Sequence, residues 1–107
     1  MAYSVRLSPR AEADTDYIYS WIAKRSPDGA RRWWMALTEI RDQLARNPLN
    51  HPTAPELSSP DHRVRQILFK TRHGRYYRVL YVVTENDVHI LRVRGPGEPD
   101  LGEDELV

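Results

Sequence analysis

At 107 residues the chain is long enough for one domain with a two-layer core and too short for two. It has no cysteine, which excludes a disulfide framework, a thiolate nucleophile and a Cys-type zinc site. The net charge of +1 hides an asymmetry: all 16 basic residues precede Gly95 and five of the 15 acids follow it, leaving residues 1–97 at +6. A basic body of this kind fits contact with a polyanion or an acidic protein, or simply a solvated sheet face.

The first nine residues have no apolar signal-peptide core, and no window approaches a membrane span, so a cytoplasmic protein without membrane contact is expected. Residues 3–7 alternate as a short first strand with Tyr3, Val5 and Leu7 inward. Ser8-Pro9 then reads as an N-cap followed by proline at the first helical position, where its missing N–H costs nothing. Glu12, Asp14 and Asp16 suit the positive end of the helix dipole. Helical spacing spreads these acids around the axis, so they read as solvated charges and not as a metal or acid–base site. Ala11, Ile18 and Ile22 mark the buried face, with Tyr17 and Trp21 extending it.

Ser26-Pro27 repeats the start signal, so the first helix stops near Arg25 and an αα-hairpin follows. In the second helix Ala30, Trp33 or Trp34, Leu37, Ile40 and Leu44 keep the spacing of a buried face. The two adjacent tryptophans cannot both point inward, so one lies at the rim or meets a partner. Trp33, Trp34, Arg31 and Arg32 are therefore the candidate partner-binding residues. Asn47-Pro48 ends the helix, and four prolines between residues 48 and 60 make the next stretch an ordered loop.

Residues 64–69 form a second strand and residues 71–75 a turn. Two β-branched and aromatic runs, 76–84 and 88–94, then make a hairpin. Tyr77, Val79, Tyr81 and Val83 share one face of the first run. A two-residue turn at Glu85-Asn86 would set Val79 against Arg92 and bring charge onto that apolar face. A three-residue turn sets Thr84 against Val88, Tyr81 against Leu91 and Val79 against Val93, and is preferred because register follows the buried face. It also turns His89 toward the helices and opposes Arg78 to Arg94 and Leu80 to Arg92. Like charges facing each other across a sheet invite an anion. The expected fold is α+β: a helical hairpin on one face of a mostly antiparallel four-stranded sheet, in the order β-α-α-β-β-β. Residues 1–97 form the domain, and the acidic, Gly/Pro-rich residues 98–107 are expected to be a mobile tail.

This order, with Leu7-Ser8-Pro9-Arg10-Ala11, Leu44-Ala45-Arg46-Asn47-Pro48, Val64-Arg65, Tyr77-Arg78-Val79-Leu80-Tyr81 and the 88–94 run, resembles the RelE/ParE superfamily of type II toxins over residues 3–95. The resemblance implies a small toxin neutralised by a co-encoded antitoxin in a hetero-oligomer. It leaves two targets: DNA gyrase, bound without an obvious catalytic group, or messenger RNA cleaved on the ribosome. Fold alone does not choose between them.

Metal-free RNA cleavage needs a base, cations at the scissile phosphate and an acid for the leaving oxygen. Arg65 and Arg78 resemble the family's phosphate-stabilising arginines, and His73 is the base a nuclease would use. Arg92 and Arg94 complete the candidate target- or phosphate-binding set. After Arg94, however, Gly95-Pro96-Gly97-Glu98 stands where nuclease members often carry histidine or tyrosine. His51, His62, His73 and His89 lack the short-range spacing of a zinc site, and no cofactor or metal is expected. The gyrase-directed reading therefore ranks first, the ribosome-dependent nuclease second and an inactive binding module third.

Overall fold

The structure, a computed structural model, describes residues 2–55, 63–71, 74–96 and 98. Strand β1 (Ser4–Leu7) leads into helices α1 (Pro9–Ala23) and α2 (Pro27–Arg46), then a single 3-10 turn at Pro48–Asn50. Strands β2 (Arg65–Phe69), β3 (Tyr77–Thr84) and β4 (Asp87–Arg94) complete the domain. Both helices start as the sequence predicts. Ser8 Oγ accepts from Ala11 N at 3.1 Å and Ser26 Oγ from Gly29 N at 2.9 Å, each with proline next in line. A Cβ at Gly29 would stand 2.9 Å from Ser26 Oγ, so a side chain there would shift the second cap.

The sheet order is β1-β4-β3-β2. The β2–β3 and β3–β4 pairs are antiparallel, whereas β1 runs parallel to β4, so the sheet is mixed. The helices cover one face. Trp33, Leu37, Ile40 and Leu44 of α2 meet Ile67, Phe69, Val79, Tyr81, Val88, Ile90 and Val93. From α1 only Ala11 and Thr15 are buried, with Ile18 and Ile22 partly so. Tyr17 and Trp21, expected on the buried stripe, are exposed by 72% and 49%. A helix buries a narrow stripe, and these rings lie outside the 11-15-18-22 line.

A second apolar cluster, Ala54, Val64, Leu80 and Val82, occupies the opposite face with Leu91 against it. The loop after α2 closes over it through Ala54 N to Val64 O (2.8 Å) and Gln66 N to Pro52 O (3.0 Å). β3 is consequently buried on both faces, which is why its sequence reads as a nearly continuous apolar run.

The β3–β4 hairpin resolves the two turn alternatives by using both registers. The turn is two residues long, with Thr84 opposite Asp87, Val83 opposite Val88 and Tyr81 opposite Ile90. Beyond that point Leu80 faces Arg92, Val79 faces Val93 and Arg78 faces Arg94. Leu91 is the extra residue, a β-bulge. The expected three-residue turn is thus corrected near the turn, while its pairings hold at the far end. Glu85 takes φ 49°, the left-handed value that tight hairpin turns use at their first position. The bulge then restores the apolar pairing of Val79 with Val93.

Helix α1 holds the bulge in place. Ser8 N donates to Ile90 O at 2.9 Å and Ser8 Oγ donates to Leu91 O at 2.9 Å. Nearly two turns on, Asp14 accepts from Arg92 Nε (2.7 Å), Arg92 Nη2 (2.9 Å) and Val93 N (2.9 Å). Past the end of β1, the helix thus supplies the partners that a further strand would have given β4.

Candidate functional site

The four candidate arginines do not form one surface. Arg65 donates to His51 O at 2.7 Å and more weakly to Leu49 O at 3.4 Å, tying the post-helical turn to β2. It sits opposite Tyr81, whose hydroxyl donates to Pro48 O at 2.6 Å, so the two side chains clamp the same turn. Arg92 is engaged by Asp14, with side chains only 13% and 16% exposed. This corrects the expectation that Arg92 belongs to an open phosphate-binding face and that Asp14 is a solvated charge. Arg78 and Arg94 do face each other across the ladder, as predicted. Arg78 donates to Gln66 Oε1 at 2.9 Å, and Arg94 Nε lies 3.6 Å from Glu98 Oε2.

His89 faces away from the helices, contrary to expectation, because the bulge shifts the alternation of β4. Its Nε2 lies 3.0 Å from Thr84 Oγ1. His51 contributes its main-chain carbonyl to Arg65. His62 and His73, the latter the proposed nuclease base, lie outside the described residues, as do 99–107 of the acidic tail. Among the described residues no group of three His, Asp or Glu is arranged to hold a metal ion. No helix among them is long and apolar enough to cross a membrane.

The tryptophan pair divides cleanly. Trp33 is fully buried against Phe69 and Tyr77, so its expected role in partner contact is corrected to core packing. Trp34 is 45% exposed and meets the Tyr19 ring edge-on. Arg31 and Arg32 are exposed, Arg31 paired with Asp28 at 3.1 Å on the surface.

A groove of about 540 Å³ lies where α1, α2 and the far end of β3 converge. Tyr17, Trp21 and Ile22 line it from α1, Trp33 from α2 and Tyr77 from β3, with Arg75 and Glu98 also on its walls. Arg25 stacks 3.8 Å over the Trp21 ring. Glu98 accepts from Gly95 N, which holds its carboxylate on the same groove wall as Tyr77. Burial, and secondarily the Glu98 carboxylate, push the Tyr77 phenol above its ordinary pKa. The groove thus combines aromatic walls with Arg75 and Glu98, and Arg25 lies at its Trp21 edge. Its α1 side was misread in the sequence, although Tyr17 and Trp21 at i, i+4 beside an already sufficient stripe were a usable signal.

A model of the ParE toxin of the type II toxin-antitoxin system, parDE, matches residues 5–98. The chain belongs to this ParE toxin family. Among solved structures, one described as a chromosomal ParDE TA system from P. aeruginosa is similar in fold. It has a TM-score of 0.65 and 20% identity, covering 87% of this chain and 95% of the other. No curated protein matches the chain. The ParE match covers the whole helical hairpin, strands β2 to β4 and all of β1 but Ser4. The aromatic groove and the Asp14–Arg92 staple are therefore features of a ParE-type toxin domain.

Proposed function

We propose that this ParE-family chain acts in the cytoplasm by binding and poisoning DNA gyrase, and that a co-encoded antitoxin neutralises it in a hetero-oligomer. The antitoxin lays an apolar segment into the groove between the helical hairpin and the end of β3. The observation that carries this reading is the exposure of Tyr17 and Trp21 on the wall of that groove. Large rings left in water beside a concavity are the usual anchor sites of a protein interface. Arg75 and Arg25 at the same place favour a segment with acidic residues flanking its apolar anchors.

The ribosome-dependent nuclease is the weaker reading. A metal-free cleavage site needs its cations, base and acid within hydrogen-bond reach of one phosphate. Here Arg65 spends donors on main-chain carbonyls and Arg92 on Asp14. Of the four candidate arginines, Arg78 and Arg94 alone stay opposed across the ladder.

Pulse-labelling after induction in a host lacking the antitoxin tests the choice of target. Early loss of DNA synthesis is expected. Early loss of protein synthesis instead would favour the nuclease, and no change in either would favour an inactive binding module. For the groove, Trp21→Ala is expected to weaken antitoxin binding by about tenfold or more, the effect of losing one aromatic anchor. Unchanged affinity would place the antitoxin elsewhere.

A further inference from the structure

We propose that the sheet face turned away from the helices carries a binding site for a phosphate-type oxyanion, built by Arg6, His89 and Thr84. The three residues come from three neighbouring strands. Arg6 pairs with His89 across β1 and β4, and His89 pairs with Val82 across β4 and β3. Thr84, two residues along β3 from Val82, reaches the His89 imidazole at 3.0 Å. All three line one depression with Val82 and Leu91, against which Leu7 and Ser8 also stand.

The chemistry of these groups converges on an anion. Arg6 is exposed, and among the described residues its guanidinium has no ion-pair or hydrogen-bond partner. When Nε2 of His89 carries the proton and donates to Thr84, the Thr84 hydroxyl keeps its own O–H for a ligand. A planar guanidinium beside a free hydroxyl donor suits the tetrahedral oxygens of a phosphate, and the imidazole, engaged with Thr84, orients that hydroxyl. Val82 and Leu91 place apolar surface beside the site, which strengthens these interactions relative to open water.

The β-bulge makes the site possible. Without the register shift at Leu91, the alternation that puts Val93 toward the helices would put His89 there too. The depression is separate from the Arg78–Arg94 pair, since Leu80 lies between Arg78 and Val82 along that face of β3. It is also on the opposite face from the aromatic groove, so it stands independently of the proposed antitoxin seat. Asp87 shares the face one step nearer the turn and does not line the depression.

The test is a titration of the isotope-labelled full chain with inorganic phosphate at fixed pH, following the His89 imidazole and Arg6 guanidinium resonances by NMR. Chloride at matched ionic strength is the reference. Saturable shifts with phosphate alone are expected, Arg6→Gln should weaken binding by about tenfold, the worth of one charge-assisted contact, and His89→Gln should weaken it less, by releasing the Thr84 hydroxyl. Arg6 is on the surface, so its variant should keep the wild-type urea midpoint. A parallel titration with a short DNA duplex separates the sources. Tighter saturation with duplex assigns a nucleic-acid phosphodiester, and saturation with inorganic phosphate alone assigns a free phosphate. Absence of saturation at His89 with both ligands overturns the site, as does unchanged affinity in Arg6→Gln.

Discussion

Replacing Asp14 with alanine removes three contacts at once: two from the Arg92 guanidinium and one from Val93 N. A hydrogen bond to a charged group contributes about 1.5–3 kcal/mol, and an orphaned main-chain N–H costs about 1–3 kcal/mol. The side chains keep 13% and 16% exposure, so water recovers part of the loss. A net destabilisation of about 2–4 kcal/mol is expected, a large share of the ~5–15 kcal/mol that holds a domain of this kind together. With a urea m-value of about 1–3 kcal/mol/M, the midpoint should fall by roughly 1–2 M. Asp14→Asn keeps an oxygen for Val93 N while losing the charge, and should fall between wild type and alanine. A double-mutant cycle with Arg92→Ala should return a coupling of about 1–2 kcal/mol. An Asp14→Ala midpoint equal to wild type would refute the view that this staple replaces a strand partner for β4. The same reasoning makes Arg92→Ala a poor probe of target binding, because lost toxicity would reflect lost folding. Arg78→Ala is the better probe.

Tyr81→Phe should cost about 1 kcal/mol by deleting the bond to Pro48 O. Burial raises the Tyr81 pKa from 10.0 to about 12, with Arg65 pulling it partly back. The folded state therefore favours the neutral phenol, and this contribution is complete below pH 10 and lost as pH rises toward 12. Urea midpoints measured from pH 8 upward should decline less steeply in the phenylalanine variant, and parallel declines would contradict the assignment. Trp33→Ala should cost about 3–5 kcal/mol as a core truncation. Trp34→Ala should cost about 1 kcal/mol or less, the worth of its edge contact with Tyr19. Equal losses in thermal melts would overturn the division between core and surface.

The candidate site was only partly legible. The Arg78–Arg94 opposition could be read because both residues lie on regular strands of known parity. What each arginine touches could not, because Arg92 meets Asp14 across 78 residues and Arg65 meets a carbonyl 14 residues away. The groove was obscured for a related reason. Periodicity ranks residues by face, yet whether Tyr17 and Trp21 are covered depends on how far α2 and the sheet extend beneath α1.

The helix starts, the αα-hairpin and the inward parity of β3 were all determined by sequence alone. Ser8-Pro9 and Ser26-Pro27 act within three residues of themselves, and a strand alternates by its own geometry. The phase of β4 was decided by the tertiary structure. Its near half follows the tight turn, its far half follows the core, and one residue, Leu91, absorbs the mismatch where Ser8 holds its carbonyl. That contact spans 83 residues, and no local preference specifies it. The faces of His89 and Arg92 follow from it, which is why the chemistry of this sheet emerges only once the chain has closed on itself.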